Sequence, residues 1–314
     1  MPNTDSAAPP RWTYLGPEGT FTEAALKTLP GAAEAKAVPL ASVPAAMDAV
    51  RRGEADAAIV PLENSVEGSV SITLDELATG EPLIIEREIL LPISFALLVR
   101  PGTALDDIKT VSSHSHAQPQ VRRWLATNLP DAHWFSSASN ADAARLVQEG
   151  RYDAALAGEF AAARYGLVPL VTDIHDVEGA ETRFVQVRRP GAVGAPTGAD
   201  RTSVVAFIVD DHAGALLEIL QEFAVRGVNL DHIQSRPMGD KLGNYFFAIE
   251  AEGHIADARV GEALMGLRRV CAEVRFLGSY PRANGLPPQI RRGTSDEEFA
   301  DAAAWLERCR RGES

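Results

Sequence analysis

The sequence predicts an α/β protein with two similar lobes, followed by a separate ferredoxin-like βαββαβ module. Strands and helices alternate over roughly the first 190 residues, a pattern typical of mostly parallel sheets. A helix, a glycine and a short strand at 42–60 recur in the same order at 139–157, which indicates two related lobes. After a Pro/Gly-rich linker at 188–201, the order becomes strand, helix, strand, strand, helix, strand.

The first lobe begins with the predicted strand WTYL (12–15) and a glycine-bearing loop. Thr20 is followed three residues later by Glu23, the spacing of a capping box, so a helix is expected to begin there. Ser42 can cap a second helix and Gly53 can end it. The apolar run DAAIV that follows is predicted to be a short buried strand.

The second lobe, about residues 93–170, repeats this order. Gly150 follows Gly53 by 97 positions, and this offset aligns GEADAAIV with GRYDAALA. Ser139 takes the place of the first lobe's capping serine. The runs LIIEREILLPISFALLVR and LVTDIHDVEGAETRFVQVRR predict two crossings between the lobes. Two crossings make a hinged cleft, which is a natural site for a small ligand.

The remaining chain divides into a module and a tail. The predicted strands of the module are SVVAFIV, NLDHIQSRPM, NYFFAIEAEG and AEVRFLGSY, and its helices are GALLEILQEFAVRG and DARVGEALMGLRRV. The tail is expected to carry a short helix, because Ser295 and Glu298 form another capping box. We therefore expect a two-lobed domain at 11–190, a βαββαβ domain at 201–281 and a tail at 282–314.

The charge balance disfavours several classes of partner. Lys and Arg number 30 against 43 Asp and Glu, a formal net charge of −13, whereas nucleic acids and anionic membranes are bound by basic patches. The N-terminal MPNTDSAAPPR lacks the features of a signal peptide, and no apolar run reaches the length of a membrane span. Cys271 and Cys309 are far apart and indicate free thiols. We expect a cytoplasmic protein with no nucleic-acid or membrane partner.

Motifs of nucleotide, zinc and serine-triad chemistry do not occur in the sequence. His114 and His116 have no acidic or cysteine partner nearby in the sequence, so we interpret them as polar loop residues and expect no metal site. The remaining candidates are loops rich in neutral donors: GPEGTFTE, ENSVEGSV, SSHSHAQPQ and ETRF. In doubly wound sheets such loops line the binding crevice, where helix N-termini offer N–H groups to carboxylates.

Several of these residues have two interpretations from the sequence alone. Thr20 is an N-cap and can also contact a ligand, and the two roles are compatible. Asn64 and Ser65 form either a turn before the next helix or a ligand contact. Arg183 can hold a carboxylate in a bidentate contact, or form a salt bridge between the lobes, since successive strand residues face opposite sides.

Four ordered motifs, GPEGTFTEAAL, PLENSVEGSV, SSHSHAQPQ and ETRFVQV, resemble the catalytic domain of the prephenate dehydratase family. The stretch GALLEILQEFAVRGVNLDHIQSRP resembles the ACT regulatory domain that follows it in that family. The resemblance covers about residues 12–281 without a preceding chorismate mutase domain, which implies the monofunctional form. It implies a two-lobed catalytic domain like the type II periplasmic binding proteins, and a ferredoxin-like ACT domain.

The activity implied by this resemblance is the decarboxylative dehydration of prephenate to phenylpyruvate, the branch step toward phenylalanine. Loss of the ring hydroxyl together with carbon dioxide aromatises the ring, so no cofactor is needed. The protein must hold a dianion, help the hydroxyl to leave and exclude bulk water.

The same resemblance implies a set of site residues. Thr182 is expected to hydrogen-bond the departing hydroxyl and assist its protonation, and Arg183 to hold a carboxylate directly or to hold the loop. The implied substrate-binding residues are Thr20, Asn64, Ser65, Ser113 and Gln120. The chain departs from the family at Ala180, where an Asn is common, and at SHSH (113–116), where Ser-His-Pro-Gln is common. These departures concern the neighbouring contacts more than Thr182 itself.

The ACT motifs imply a phenylalanine site at an interface between paired modules, so a homodimer or homotetramer is expected. The implied residues are Gly214, Ala215, Leu216, Asn229, Leu230, Ser235 and Arg236. Backbone groups there can contact an amino acid's ammonium and carboxylate, and binding would shift the equilibrium of the cleft. Gln234 stands where the family has Glu, which leaves the sign and strength of regulation open.

Two other functions remain open at this stage. Arogenate dehydratase performs the same chemistry on the aminated substrate, and these motifs do not exclude it. A non-catalytic, two-lobed small-molecule binding protein would have the same lobes, but the sequence lacks the export signal and the helix-turn-helix expected of such proteins.

Overall fold

The computed structural model describes residues 8–208, 212–237 and 245–313. The chain forms two compact units. One unit comprises the chain up to Glu76 together with Ile89–Arg189, and the other comprises Leu77–Glu88 together with the chain from Pro190 onward.

Strands and helices alternate from the start of the described chain to the end of the first unit, as predicted. In chain order the elements are β1 (Arg11–Leu15), α1 (Phe21–Lys27), β2 (Lys36–Leu40), α2 (Val43–Arg51), β3 (Ala57–Asn64), β4 (Gly68–Ser69), α3 (Ser71–Thr79), β5 (Ile84–Pro92), β6 (Phe95–Val99), β7 (Thr110–His114), α4 (Gln118–Asn128), β8 (His133–Ser137), α5 (Asn140–Gln148), β9 (Ala154–Ala157), α6 (Ala161–Tyr165), β10 (Val168–Ile174) and β11 (Glu181–Arg188). Short 3₁₀ turns at Leu105–Asp107 and Ser115–Ala117 precede β7 and α4.

The sheet of the first lobe has the strand order β2-β1-β3-β11-β5. β1 pairs in parallel with β2 and β3, as strand–helix–strand units require. β11 runs antiparallel to β3, with Thr182 opposite Asn64 and Val187 opposite Ala58. In this lobe the prediction of mostly parallel sheets is right for β1, β2 and β3 and wrong for β11, because this strand returns from the other lobe and runs in the opposite direction.

A proline inside β3 coincides with a shift in strand register. Pro61 has no N–H to donate to the ladder, so it is tolerated inside a sheet mainly at irregular positions. The pairing of β3 with β11 shifts between Arg183 and Phe184, next to Pro61. Beyond the shift, Thr182 and Asn64 become direct cross-strand neighbours.

The sheet of the second lobe has the order β10-β6-β9-β7-β8 and confirms the internal repeat. β7 is parallel to β8 and β9, whereas β6 is antiparallel to β9 and β10. Helices α2 and α5 lie 97 positions apart and have the same length. Ser42 Oγ caps α2 by accepting from Ala45 N at 3.2 Å, and Ser139 Oγ caps α5 by accepting from Asp142 N at 2.9 Å.

Each lobe buries one face of its helices against its sheet. The apolar residues of α2 recur at helical spacing, with Val43, Ala46, Met47 and Val50 all buried. In the second lobe a stretch of small side chains allows α5 to approach the sheet closely, and Leu98 and Val147 complete that core. The cores fix the positions of the strand ends, from which the polar loops emerge.

The second unit contains the predicted βαββαβ module. Its elements are β12 (Asp200–Phe207), α7 (Ala215–Ala224), β13 (Leu230–Pro237), β14 (Tyr245–Glu252), α8 (Ala258–Val270) and β15 (Glu273–Pro281), followed by α9 (Asp296–Arg310) in the tail. The sheet order β13-β14-β12-β15 is that of a ferredoxin-like fold. Ser295 and Glu298 form the expected capping box of α9. Val209, Met238 and Asn244, which were included in predicted strands, lie outside the described residues.

Every helix in the described ranges is too short or too polar to cross a membrane. Within the same ranges, no group of three His, Cys, Asp or Glu side chains is placed to hold a metal ion. Of the two cysteines, Cys271 is buried and Cys309 is exposed.

Candidate active site

A cavity of about 660 Å³ lies in the first unit, at the ends of the strands of both lobes. The carboxyl ends of β1, β3 and β7 reach it, and so do the first residues of α5. Its lining is Leu15, Gly16, Pro17, Thr20, Phe21, Thr22, Pro39, Leu40, Ala41, Pro61, Asn64, Ile93, Phe95, His114, His116, Ala117, Gln120, Ala138, Ser139, Asn140, Asp142, Thr182 and Phe184. Apolar and aromatic walls thus surround a few polar groups, as in most small-molecule sites.

Thr182 and Asn64 form a hydrogen-bonded pair in this cavity. Asn64 Oδ1 accepts the backbone N–H groups of Val66 and Glu67 at 2.9 and 3.1 Å, which fixes the orientation of the amide. Asn64 Nδ2 therefore donates to Thr182 Oγ1, at 2.8 Å. Since Thr182 Oγ1 receives this bond, its own hydrogen is available, and among the described residues it meets no protein acceptor. The cavity thus contains a hydroxyl that is held as an acceptor by one group and can donate to another.

Arg183, the neighbour of Thr182 on β11, is not among the lining residues. Its side chain is nearly buried, and Nε lies 3.8 Å from Glu63 Oε2 on the adjacent strand β3. Successive strand residues face opposite sides, so a strand that turns Thr182 into the cavity turns Arg183 away from it. The geometry does not support direct contact of Arg183 with a carboxylate in this cavity. The ion pair with Glu63 instead links β11 to β3, within one lobe rather than between the two.

Thr20 is an N-cap, and its position is also compatible with the ligand contact that the sequence left open. Its Oγ1 accepts Glu23 N at 3.4 Å as the N-cap of α1 and donates to Leu15 O at 3.3 Å. It also lines the cavity. The hydroxyl hydrogen is therefore already directed at a backbone carbonyl, and Thr20 presents mainly its methyl group and backbone to a ligand.

Two of the expected binding residues stabilise the walls of the cavity without lining it. Ser65 is exposed and exchanges hydrogen bonds with Glu181, donating its N–H to Glu181 O and accepting Glu181 N at Oγ, both at 2.9 Å. Ser113 is fully buried, with Oγ 2.5 Å from Leu156 O and 2.9 Å from Asn140 Oδ1. Both serines hold neighbouring backbone or side chains in place.

Gln120 presents a buried acceptor. Its side chain is more than nine-tenths buried, and Nε2 donates to His116 O at 3.0 Å. Oε1 has no hydrogen-bond partner in the described part of the chain. A buried acceptor without a partner is costly, so this atom is suited to accept from a ligand or from water.

His114 and His116 were interpreted from the sequence as polar loop residues, but the structure places them in the candidate active site. Both line the cavity, and the rings meet edge to face at 4.6 Å. His116 Nδ1 lies 3.3 Å from Glu67 Oε2, a partner that is distant in sequence and was missed for that reason. His114 Nδ1 accepts His116 N at 3.3 Å. Burial, together with His116, lowers the pKa of His114 and favours its neutral form, although Glu67 opposes this effect.

In the described part of the chain, the cavity offers a ligand neutral hydrogen-bond donors rather than the charged side chains of lysine or arginine. Among the described residues, no lysine or arginine lines it. The lining carboxylate, Asp142, is paired with Arg145 at 2.7 Å. The start of α5, at Ser139 and Asn140, adds backbone N–H groups and a partial positive charge. Sequence reasoning did not identify Asn140, although its position next to the predicted cap Ser139 is a signal that could have done so.

The residues expected to bind phenylalanine do not share one cavity in the second unit. Gly214, Ala215, Leu216 and Ser235 line a cavity of about 240 Å³ at the start of α7. Asn229 lines a different cavity, of about 610 Å³, together with Glu252 and Arg282. Leu230 and Arg236 lie on β13, outside the lining of both. The structure of one chain therefore does not bring the expected set into one site.

Comparison with known proteins agrees with this architecture. The prephenate dehydratase family matches residues 12–192, and the ACT domain family matches residues 203–269. The prephenate dehydratase of Amycolatopsis methanolica is 49% identical over 304 residues, covering 96% of this chain and 99% of the relative. The crystal structure of prephenate dehydratase from Arthrobacter aurescens, in complex with L-Phe, is 50% identical with a TM-score of 0.92 and covers 96% of this chain and 99% of that chain.

A more distant structure, the quorum-quenching acylase GqqA, is 26% identical with a TM-score of 0.76 and covers 86% of this chain and 97% of that chain. A shared fold at that identity does not settle an activity, which depends on the site. The matches with prephenate dehydratases confirm the fold class expected from the sequence: an α/β, two-lobed, periplasmic-binding-protein-like domain with a ferredoxin-like ACT domain. With one family covering most of the first unit and curated relatives matching along nearly the whole chain, the protein belongs to the prephenate dehydratase family and is a dehydratase enzyme with an ACT domain.

Proposed function

We propose that the enzyme converts prephenate to phenylpyruvate, water and carbon dioxide, and that phenylalanine regulates it through the ACT domain. In this reaction the ring hydroxyl takes up a proton and leaves as water. The bond between the ring and its carboxylate breaks, and the electron pair enters the ring, which becomes aromatic. One proton is consumed and no oxidant or reductant is required. We assign the reaction to the domain expected at 11–190 and the regulation to that expected at 201–281, with 282–314 as a tail.

The observation that carries this proposal is the Thr182 hydroxyl. It lines the cavity, accepts Asn64 Nδ2 at 2.8 Å, and has its hydrogen available for the departing hydroxyl of the substrate. The bond from Asn64 stabilises negative charge on Thr182 Oγ1 as its proton is donated, and so makes this weak acid more effective. Thr182 is therefore our proposed catalytic residue, with Asn64 positioning it.

The rest of the cavity suits the other parts of the substrate. Phe21, Phe95 and Phe184 offer apolar walls to the ring. Neutral donors and the start of α5 can hold a carboxylate of the substrate. We propose that Arg183 contributes by holding β11 to β3, through Glu63. Ser65 and Ser113 are proposed to support the walls, and Thr20 and Gln120 to contact the ligand.

The test is to incubate purified enzyme with prephenate and follow phenylpyruvate by liquid chromatography. We expect stoichiometric release of phenylpyruvate and carbon dioxide, at a rate far above that of an enzyme-free control at the same pH. Product formation at the enzyme-free rate would refute the proposal.

Arogenate is a second candidate substrate, and one observation favours it. The unpartnered acceptor Gln120 Oε1 can receive a hydrogen bond from the ammonium group that arogenate carries and prephenate lacks. Comparison of kcat/KM for the two substrates decides between them. If arogenate is preferred, Gln120→Leu should reduce its kcat/KM more than that of prephenate.

The phenylalanine site is proposed to be completed by a second copy of the chain. The outer edge of β13 has no strand neighbour among the described residues, and exposed and half-buried residues alternate along it. Antiparallel pairing of two β13 edges brings Asn229 and Leu230 of one copy to Ser235 and Arg236 of the other. The division of the expected residues between two cavities in one chain agrees with such a composite site. The complex of the 50% identical Arthrobacter aurescens enzyme with L-Phe also supports the proposal.

Regulation and assembly can be measured separately. We expect L-Phe to raise the melting temperature and to change kcat/KM, whereas L-Ala should do neither. Light scattering should show a dimer or tetramer. A monomer whose activity and melting temperature do not respond to L-Phe would contradict this part of the proposal.

A further inference from the structure

We propose that Asn140 is a substrate-binding residue that holds the carboxylate retained in the product, the one on the pyruvyl side chain. This inference rests on the proposed function and assigns a role in the cavity to a residue outside the motifs that resemble the family. Asn140 is the first residue of α5 and lines the cavity.

The orientation of the Asn140 amide is fixed by its neighbours. His114 N can only donate, and it lies 3.0 Å from Asn140 Oδ1. The Ser113 hydroxyl lies 2.9 Å from the same oxygen and 2.5 Å from Leu156 O, so its single hydrogen is shared between these two acceptors. With Oδ1 occupied, Nδ2 is the atom left for the cavity, and it has no hydrogen-bond partner among the described residues. Ser113 is thereby a positioning residue for Asn140.

The surroundings of Asn140 favour an anion. The Ser139 cap of α5 accepts Asp142 N, which leaves the N–H groups of residues 140 and 141 at the helix start, where the helix dipole is positive. The negative charge of Asp142 is offset by Arg145. His114 turns Nδ1 to the backbone of His116, so its remaining ring nitrogen, Nε2, carries the hydrogen in the neutral form. An independent sign that this cavity takes a ligand is Gln120, which lines it, is more than nine-tenths buried and has an Oε1 without a partner among the described residues; this atom is an acceptor and would contact a donor of the ligand rather than its carboxylate.

The chemistry of the reaction selects which carboxylate Asn140 holds. The ring carboxylate must lose its charge as carbon dioxide forms, so a strong donor on it would stabilise the ground state more than the transition state and slow the step. The pyruvyl carboxylate keeps its charge from substrate to product. Both carboxylate-bearing groups lie on the ring carbon opposite the departing hydroxyl. Asn140 belongs to α5 of the second lobe, whereas Thr182 and Asn64 lie on β11 and β3 of the first, so a donor separate from the leaving-group site is available. Because the ring carboxylate is disfavoured as its partner, we assign Asn140 to the pyruvyl carboxylate.

This assignment predicts that the hydrogen bond from Asn140 contributes the same binding free energy in the substrate, the transition state and the product. Loss of the Asn140 amide should raise KM for prephenate and weaken the binding of phenylpyruvate by the same factor, with kcat nearly unchanged. One charge-assisted hydrogen bond corresponds to a factor of about ten or more.

The test is calorimetric titration of phenylpyruvate into the wild type, Asn140→Asp and Asn140→Ala, with prephenate kinetics in parallel. Asn140→Asp keeps the acceptor for His114 N and places an acidic residue in the first turn, so the helix remains stable. Asn128→Asp is the matched control, because it makes the same charge change at an exposed position of α4. We expect phenylpyruvate affinity to fall at least about tenfold in Asn140→Asp and about tenfold in Asn140→Ala, and to stay within about twofold in the control.

Phenylpyruvate affinity within about twofold of wild type in both Asn140 variants overturns the inference, as does a wild type that does not bind phenylpyruvate. A loss of kcat at unchanged product affinity also overturns it, since Asn140 would then act in the transition state. The proposed function fails differently. A wild type that binds phenylpyruvate through Asn140 but does not convert prephenate would refute the reaction and leave this binding role intact.

Discussion

Replacement of Thr182 by valine removes the hydroxyl that we propose protonates the leaving group and keeps the branched shape of the side chain. Two effects follow from the contacts of Thr182. Asn64 Nδ2 loses its acceptor at 2.8 Å, and the cavity loses its available hydroxyl hydrogen. The first effect acts on stability and the second on catalysis, so they can be measured separately.

The magnitudes of the two effects differ. A donor left unsatisfied costs about 1–3 kcal/mol when buried, but Asn64 is only partly buried and lines a cavity that water can enter, so we expect about 1 kcal/mol. General acid catalysis contributes about 10²- to 10⁴-fold, which corresponds to about 3–5 kcal/mol in the barrier. We therefore expect kcat for prephenate to fall at least about a hundredfold in Thr182→Val, with KM changed only a few fold.

The assay is steady-state formation of phenylpyruvate by wild type, Thr182→Val and Thr182→Ser, with urea unfolding of each. Thr182→Ser keeps the hydroxyl and should retain kcat within about tenfold of wild type. Thr127→Val is the control, because it removes an exposed hydroxyl on α4. If Thr182→Val turns over prephenate at a near-normal rate, the hydroxyl is not the proton donor. If Thr182→Val loses kcat as expected, adding Asn64→Ala to it should lower kcat little further, because both residues act on one proton.

Three other changes have expected outcomes. Arg183→Met should reduce the free energy of unfolding, measured in urea, by about 1–3 kcal/mol, because the ion pair with Glu63 is lost at a nearly buried site, and KM should stay within a few fold of wild type. A large rise in KM with unchanged stability would instead indicate that Arg183 contacts a substrate carboxylate directly. Because the pKa of His114 is lowered in the folded protein, the unfolded chain binds this proton more readily, and the melting temperature should decline as pH falls below about 6.5. His114→Gln should reduce the slope of melting temperature against pH in this range, and an unchanged slope would contradict this reasoning. Burial, with a smaller effect of Glu222, raises the pKa of Cys271 to about 11. A thiol reagent at pH 8 should therefore modify the exposed Cys309 at once and Cys271 only after denaturation, and rapid reaction of both thiols would refute the buried position of Cys271.

The parts of the fold with local signals could be predicted from the sequence. Ser42 and Ser139 with their glycines gave the two equivalent helices, and alternating apolar runs gave the βαββαβ module. β2 and β8 were not predicted, because β2 contains Pro39 and the burial pattern of β8 lacks a regular alternation. The run LIIEREILLPISFALLVR, expected from its β-rich composition to cross between the lobes, forms the two strands β5 and β6, with Pro92 at the end of the first.

The site was only partly predictable, because its contacts are long-range. The sequence placed Thr182, Asn64, Thr20 and Gln120 in polar loops, and all four line the cavity. It could not decide which side of β11 Arg183 faces, since that depends on the register with β3 and on the irregularity next to Pro61. The Glu67–His116 contact and the use of Ser113 to orient Asn140 join segments that have no visible relation in the sequence.

The pairing of β3 with β11 has a consequence for biosynthesis. Asn64 and Thr182 are 118 positions apart, so β3 leaves the ribosome long before the strand that will cover its second edge. At about 5–20 residues per second, the wait lasts about 6–24 s. During that time the backbone N–H and C=O groups on this edge of β3 lack their native strand partner, and such an open edge can pair with other chains. Pairing of β11 with β3 closes that edge and brings Thr182 to Asn64 in the same event, so the proposed catalytic hydroxyl is positioned only when the open edge is covered.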